Sequence, residues 1–223
     1  MSLFKTLQEK PWETPEAAGS IAVAQDFDPA KIAVRFIMAV VGVLFFLFII
    51  TFLARSQYPD FEALAGQPWQ PFSDATRLWI NTFILIFASL SIQFGVKRAR
   101  EQRQNAVVIG VSLAAFFSIL FLVAQLDLWR GMLAMGFYVH TNPANSYFYA
   151  LTGIHGLHLL GGLIVLANVV FRVWYDDKSS SMSRPLQHCA TYWHFMLGVW
   201  LVLFALLTSE ADTINTLAGL CGF

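Results

Sequence analysis

The stretch "RFIMAVVGVLFFLFIITF", Arg35 to Phe52, decides the fold: no charged residue intervenes between Arg35 and Arg55. At 1.5 Å per residue, such a run forms a helix long enough to cross the ~30 Å hydrocarbon core of a bilayer. Asp28-Pro29 precedes it, a helix cap followed by a first-turn proline, so a first span is expected from about Ile32 to Ala54. Four further apolar runs read the same way, at about 78–96, 106–125, 147–174 and 187–208. The whole chain is 57% hydrophobic and 13% charged, roughly half the charged fraction of a soluble domain. These features predict an all-α, five-span bundle over residues 31–223, preceded by a polar tail, residues 1–30.

That tail, "MSLFKTLQEKPWETPEAAGSIAVAQDFDPA", lacks the apolar core of a signal peptide. Formal net charge is zero, with no basic cluster of the kind that binds nucleic acid. Cys189 and Cys221 form no metal-binding spacing, and the spans put them near opposite faces, so no disulfide is expected between them. Charge orients the bundle. Lys5, Lys10, Lys31, Arg35, Lys97, Arg98, Arg100, Arg103, Arg172, Lys178 and Arg184 fall on one side, against Arg55, Arg77 and Arg130 on the other. The positive-inside rule then predicts a cytoplasmic amino terminus and a periplasmic carboxyl terminus, with loops 55–77 and 127–146 outside.

No acidic residue lies in the middle of a span; Asp127 and Glu210 come nearest, and both sit at ends. Intramembrane carboxylates mark ion and proton pathways, so a stand-alone small-solute transporter is disfavoured. Phosphate-loop, zinc-protease and nucleophile motifs are absent. The five histidines are too few for the histidine boxes of a membrane di-iron enzyme.

Three of them, His155, His158 and His194, fall inside spans. His155 and His158 share a helix face in "YFYALTGIHGLHLLGG", Tyr147 to Gly162, a spacing that also suits metal ligands. A haem could bridge His158 and His194, whose depths differ by a few ångströms at 1.5 Å per residue. Gly156, Gly161 and Gly162, however, predict close helix approach and little room for a macrocycle. A proton relay is a further use. The plainest is hydrogen bonding across helices, a common role for polar side chains in lipid. His140 and His188 read as loop and interfacial residues. Trp79, Trp129, Trp174, Trp193 and Tyr192 fall mostly near span ends, where aromatic rings anchor at headgroups.

Together, "WRGMLAMGFYVHTNPANSYFYALTGIHGLHLLGG" and "TYWHFMLGVWLVLF" resemble subunit III of the haem–copper oxidases. The shared features are an NP turn, an aromatic pair, TG-x-HGLH, and a YWHF-x-x-x-x-W helix. "QLDLWRG" and "NTFILIFASLSIQFGVKRARE" follow more loosely, so the resemblance covers about Trp79 to Leu206. Five spans match the shorter bacterial form. The resemblance implies a non-catalytic subunit of the bacterial inner membrane, with no catalytic, metal or cofactor residues of its own. Haem and copper belong to the partners, subunit I and with it subunit II, in a hetero-oligomer working in aerobic electron transport and proton translocation. The chain would stabilise subunit I, bind phospholipid and support proton uptake, with His155, His158, His194 and Trp193 as interhelical structural residues.

The sequence also departs from the family pattern. It has no glutamate in the first span, Leu197 in place of an aspartate after WHF, and no carboxylate near Gln187 or His188. These losses argue against the chain shuttling protons itself. An arginine fourteen residues after the second HGLH histidine contacts a lipid phosphate in the family; here it is Arg172, which can snorkel to the headgroups. A cytochrome c oxidase is the expected setting. A quinol oxidase or nitric oxide reductase accessory subunit is the alternative.

Overall fold

A computed structural model describes residues 28–66, 69–175 and 179–223. The tail expected over residues 1–30 lies almost wholly outside the described residues. Val34–Phe223 forms one compact unit, and the residues just before it supply the cap and first turn of α1 (Pro29–Arg55). Asp28 accepts hydrogen bonds from the amides of Ala30 and Lys31 at 3.1 and 3.3 Å, as the Asp-Pro pair predicts.

The remaining helices are α2 (Thr76–Arg100), α3 (Gln104–Ala134), α4 (Pro143–Tyr175), α5 (Ser179–Leu207) and α6 (Ala211–Leu220). Five of these helices are long and apolar enough to cross a membrane, and the described residues contain no strand. The all-helical five-span architecture is therefore the one expected from the hydropathy pattern.

The helices run beyond several of the expected span ends, and the structure departs most from the expectation in three places. The third helix does not stop at Gln125 but continues through Asp127 and Arg130 to Ala134. Charge ends a membrane span without ending a helix. What ends this one is Gly136, at φ +91, where the amides of Gly136 and Phe137 close back on Leu133 and Met132 at 3.1 Å each. The last long helix begins before Gln187 and holds Pro185 within it, in a serine-containing segment without an apolar signal. The short α6 was not anticipated. Its ten residues are too few to span a bilayer. Ile214 and Ala218 bury one side of it, while Leu217 and Leu220 face outward.

Helices α2 to α5 form a ring in which α2 packs on α3 and α5, and α4 packs on the same two. The end of the ring near the α2–α3 turn is built from small and branched residues: Ala88, Val96, Ala99, Val111, Ala114 and Ala190. The other end holds Phe121, Phe148, Trp200 and Met132. Small residues at the first end let α2 and α3 come close. In lipid, where burying apolar surface gives little drive, close contact between small residues is what holds helices together. The closest approach of backbone to backbone at a glycine is at Gly110, where a Cβ would lie 2.8 Å from the Gly95 backbone. Outside the ring, α1 rests on α4 and α5 through Val41, Phe45, Phe52 and Leu53. Its other side, including Phe36, Phe46 and Leu47, is exposed.

The loop joining α1 to α2 is tied down at polar points. Arg55 makes a paired hydrogen bond with Asp60, which holds the Asp60 carboxyl below its ordinary range. Asn142, ahead of Pro143, caps α4 through the Ala144 amide at 3.0 Å and donates to the Glu62 carbonyl at 2.7 Å. Both cysteines are free: Cys189 buried within α5, Cys221 exposed after α6.

Candidate functional site

The motif residues fall on α4 and α5, and each faces a different neighbour. His155 is fully buried. Its ring lies among Phe45 of α1, Phe121 of α3 and Trp200 of α5, at centroid distances of 6.3, 5.8 and 5.2 Å. Neither ring nitrogen has a hydrogen-bond partner among the described residues. The expected hydrogen bond across helices is therefore absent at His155, which joins its neighbours as one ring in an aromatic cluster. His158 differs again. Its Nδ1 lies 2.8 Å from the Ile154 carbonyl one turn back on its own helix, so the ring closes locally. The link across helices at this level is made by its backbone, whose carbonyl accepts from the Tyr192 hydroxyl at 3.0 Å.

Among the described residues, His194 is the one of the three histidines whose ring hydrogen-bonds to another helix. Nδ1 lies 2.6 Å from Ser89 Oγ and Nε2 3.0 Å from Gln93 Oε1, both on α2. Trp193 beside it points the opposite way, into the ring, where Nε1 donates to Ser118 Oγ of α3 at 2.9 Å. One turn of α5 thus engages three helices: α4 by Tyr192, α3 by Trp193 and α2 by His194. Trp193 and Tyr192 are helix joints rather than headgroup anchors, whereas Trp79 and Trp174 are exposed, as an aromatic belt requires.

Further joints lie elsewhere in the bundle, one of them at Trp129, which was expected to anchor at the headgroups. Trp200 Nε1 donates to Thr82 at 3.0 Å, Trp129 Nε1 to Thr152 at 3.1 Å, and Asn81 Nδ2 to Gln125 Oε1 at 3.0 Å. Trp193 and Trp200 are seven residues apart and so lie on one helix face. That spacing was the available signal for the pair. Their acceptors, a serine and a threonine on other helices, had none.

The glycines sort in the same manner. A Cβ on Gly162 would come within 2.8 Å of Tyr192 and 3.1 Å of Trp193, so α4 and α5 do approach there. Gly161 faces open space and Gly156 has only Leu122 nearby, at 3.7 Å. Close approach thus holds for one of the three glycines expected to provide it. Outside this interface, Gly153, Gly156, Leu122, Leu126 and Trp129 line an apolar groove of about 440 Å³ between α3 and α4.

The three intramembrane histidines are not brought together. Among the described residues, no three His, Cys, Asp or Glu side chains gather as a metal site requires. Arg172 is exposed near the end of α4, with no hydrogen bond or ion pair among the described residues. His140 stacks on Tyr138 in the α3–α4 loop at 5.8 Å. The arrangement is a set of joints around an aromatic centre.

Comparison with known proteins identifies the family. The family model for cytochrome c oxidase subunit III matches residues 22–209, a stretch holding all five long helices. The chain is 27% identical over 174 residues to cytochrome c oxidase subunit 3 of Thermostichus vulcanus, covering 75% of this chain and 85% of that protein. It is 33% identical over 129 residues to the Synechocystis protein of the same name, covering 57% and 54%. It is 23% identical over 129 residues to the cytochrome bo(3) ubiquinol oxidase subunit 3 of Buchnera aphidicola, covering 58% and 63%. With its five apolar helices and bacterial relatives, it is a multi-pass inner-membrane protein. The chain belongs to the cytochrome c oxidase subunit III family.

Proposed function

We propose that this chain is the non-catalytic subunit III of a cytochrome c oxidase-type terminal oxidase. It supports the haem-bearing subunit I, and with it subunit II, during aerobic electron transport. The observation that carries the reading is the use made of the motif residues. Tyr192, Trp193, His194 and Gly162 link α5 to three neighbouring helices. A chain whose distinctive polar groups hold its own helices in place is a firm apolar block, suited to bracing a neighbour in the membrane. Every acidic residue among those described lies outside the middle of the spans, so support for proton uptake acts on the path of subunit I rather than through a relay here. Arg172 holds a phospholipid phosphate, where its exposed guanidinium can make paired hydrogen bonds.

The orientation belongs to the same proposal. The amino terminus and the 97–103 turn face the cytoplasm, and the carboxyl terminus faces the periplasm. Tags in the first two positions are expected to react only from the cytoplasmic side. A cytoplasmic carboxyl-terminal tag overturns this orientation.

Co-purification tests the functional reading. The chain, tagged and extracted in mild detergent, is expected to arrive in constant ratio with a haem-bearing polypeptide. A chain that purifies alone in active form, without haem absorbance, is not an oxidase subunit.

A further inference from the structure

Most of the exposed surface of the spans is ready for lipid. Its large side chains, such as Phe46, Phe116, Ile119 and Ile164, are apolar. Exposed polar side chains mostly turn back on their own helix. Thr51 donates to the Phe48 carbonyl, Thr191 to Gln187 and Asn168 to Ile164. Such closure removes the cost of a bare hydrogen-bonding group in hydrocarbon. Gln93 breaks the pattern. It is exposed on α2, and its amide reaches away from its own helix to the His194 ring on α5.

With Gln93 Oε1 and Ser89 Oγ holding the imidazole, the two N–H groups on Gln93 Nε2 have no acceptor among the described residues. Gln93 lies four residues, about 6 Å, inward of Lys97, and His194 lies ten residues, about 15 Å, from Arg184. While bonded to His194, the amide cannot also extend to the headgroup layer. Beside the pair, Leu90, Thr191 and Gly198 are also exposed, and a Cβ on Gly198 would meet nothing within 4 Å. The strip along the α2–α5 seam is therefore shallow, with hydrogen-bond donors at intramembrane depth and a small-residue notch next to them.

We infer that this seam, centred on Gln93 and His194, is the surface on which a transmembrane helix of the haem-bearing partner docks, presenting a hydrogen-bond acceptor to the Gln93 amide. The inference rests on the oxidase-subunit reading and names the face through which that assembly is made. Lipid acyl chains have no acceptor at this depth. A carbonyl or hydroxyl on a neighbouring helix does, and the Gly198 notch lets its backbone come close.

The test uses the whole complex in native membranes. A photo-crosslinking amino acid is placed at Leu90 or Thr191 on the seam, and at Ile164 on α4 as the comparison. Seam positions are expected to capture the haem-bearing polypeptide about tenfold more than Ile164, as direct contact against lipid exposure implies. Gln93→Leu is expected to weaken retention of the chain in the detergent-purified complex about fivefold. Asn168→Leu, whose side chain closes on its own helix, should leave retention unchanged. Capture of the partner from Ile164 but not from the seam overturns the inference while leaving the oxidase reading intact. So does capture of a second copy of this chain from the seam, or wild-type retention of Gln93→Leu. Absence of a haem-bearing partner in every preparation overturns the reading itself.

Discussion

Gly110→Leu should abolish accumulation of the folded chain, and Gly110→Ala should already weaken it by about 3 kcal/mol, near the top of the usual range for overpacking. The reason lies in what a Cβ would meet. At Gly110 it would lie 2.8 Å from both Cα and N of Gly95, and 3.1 Å from the Ser91 carbonyl oxygen. These are backbone atoms, and no rotamer change moves them aside. The helices must separate, and the contacts of Val96, Ala99, Val107 and Val111 open with them. Relaxation is further limited because the α2–α3 turn is short, with Gln102 in the left-handed region at φ 56 and the Arg103 amide bonded to the Arg98 carbonyl at 3.1 Å. The comparison is Gly161→Ala, where a Cβ meets nothing within 4 Å. Membrane abundance and thermal aggregation in detergent are the measurements. Equal behaviour of the two alanine variants would mean that the α2–α3 contact does not govern stability.

Neither Gly95 nor Gly110 stood out in the sequence, which shows where reading by pattern stops. The spans were legible because a bilayer imposes length and apolarity on every crossing segment, and those are one-dimensional properties. The cap at Asp28-Pro29 was legible for a similar reason, being local. Helix ends outside the membrane were not, since neither Asp127 nor the polar segment before Gln187 obliges a helix to stop. Pairing across helices is a three-dimensional matter. The HGLH and YWHF runs pointed to the correct pair of helices, yet the partners of Trp193, Trp200 and His194 are Ser118, Thr82, Ser89 and Gln93, residues that nothing in the sequence singled out individually. His155 is the sharpest case. A histidine in a glycine-rich span reads as a ligand or a hydrogen-bond donor, but the three aromatic rings that surround it come from α1, α3 and α5, and no local spacing announces them.

Removing this chain from the complex should leave the haem spectrum and the initial rate of oxygen reduction largely unchanged, while turnover decays much faster with time. The first part follows from where the polar groups are engaged. The histidines of the spans are held by aromatic rings, by a carbonyl of their own helix, or by α2, so the proposed role includes no redox step. The second part follows from the bundle's architecture. The ring of α2 to α5 is braced by joints from Tyr192, Trp193, His194 and Trp200, and on the proposed seam it meets the partner as one stiff surface. Lateral support needs little free energy to matter kinetically. Lowering the partner's inactivation barrier by only about 1.4 kcal/mol shortens its working lifetime roughly tenfold. Proton uptake should also slow at neutral and higher pH, since the proposed support to the uptake path is withdrawn where protons are scarce. Oxygen consumption followed over many turnovers, with optical spectra taken alongside, separates the possibilities. An immediate loss of a haem band would give the chain a part in holding the cofactor. Equal lifetimes with and without it would remove the supporting role, and with it the functional meaning proposed for the α2–α5 seam.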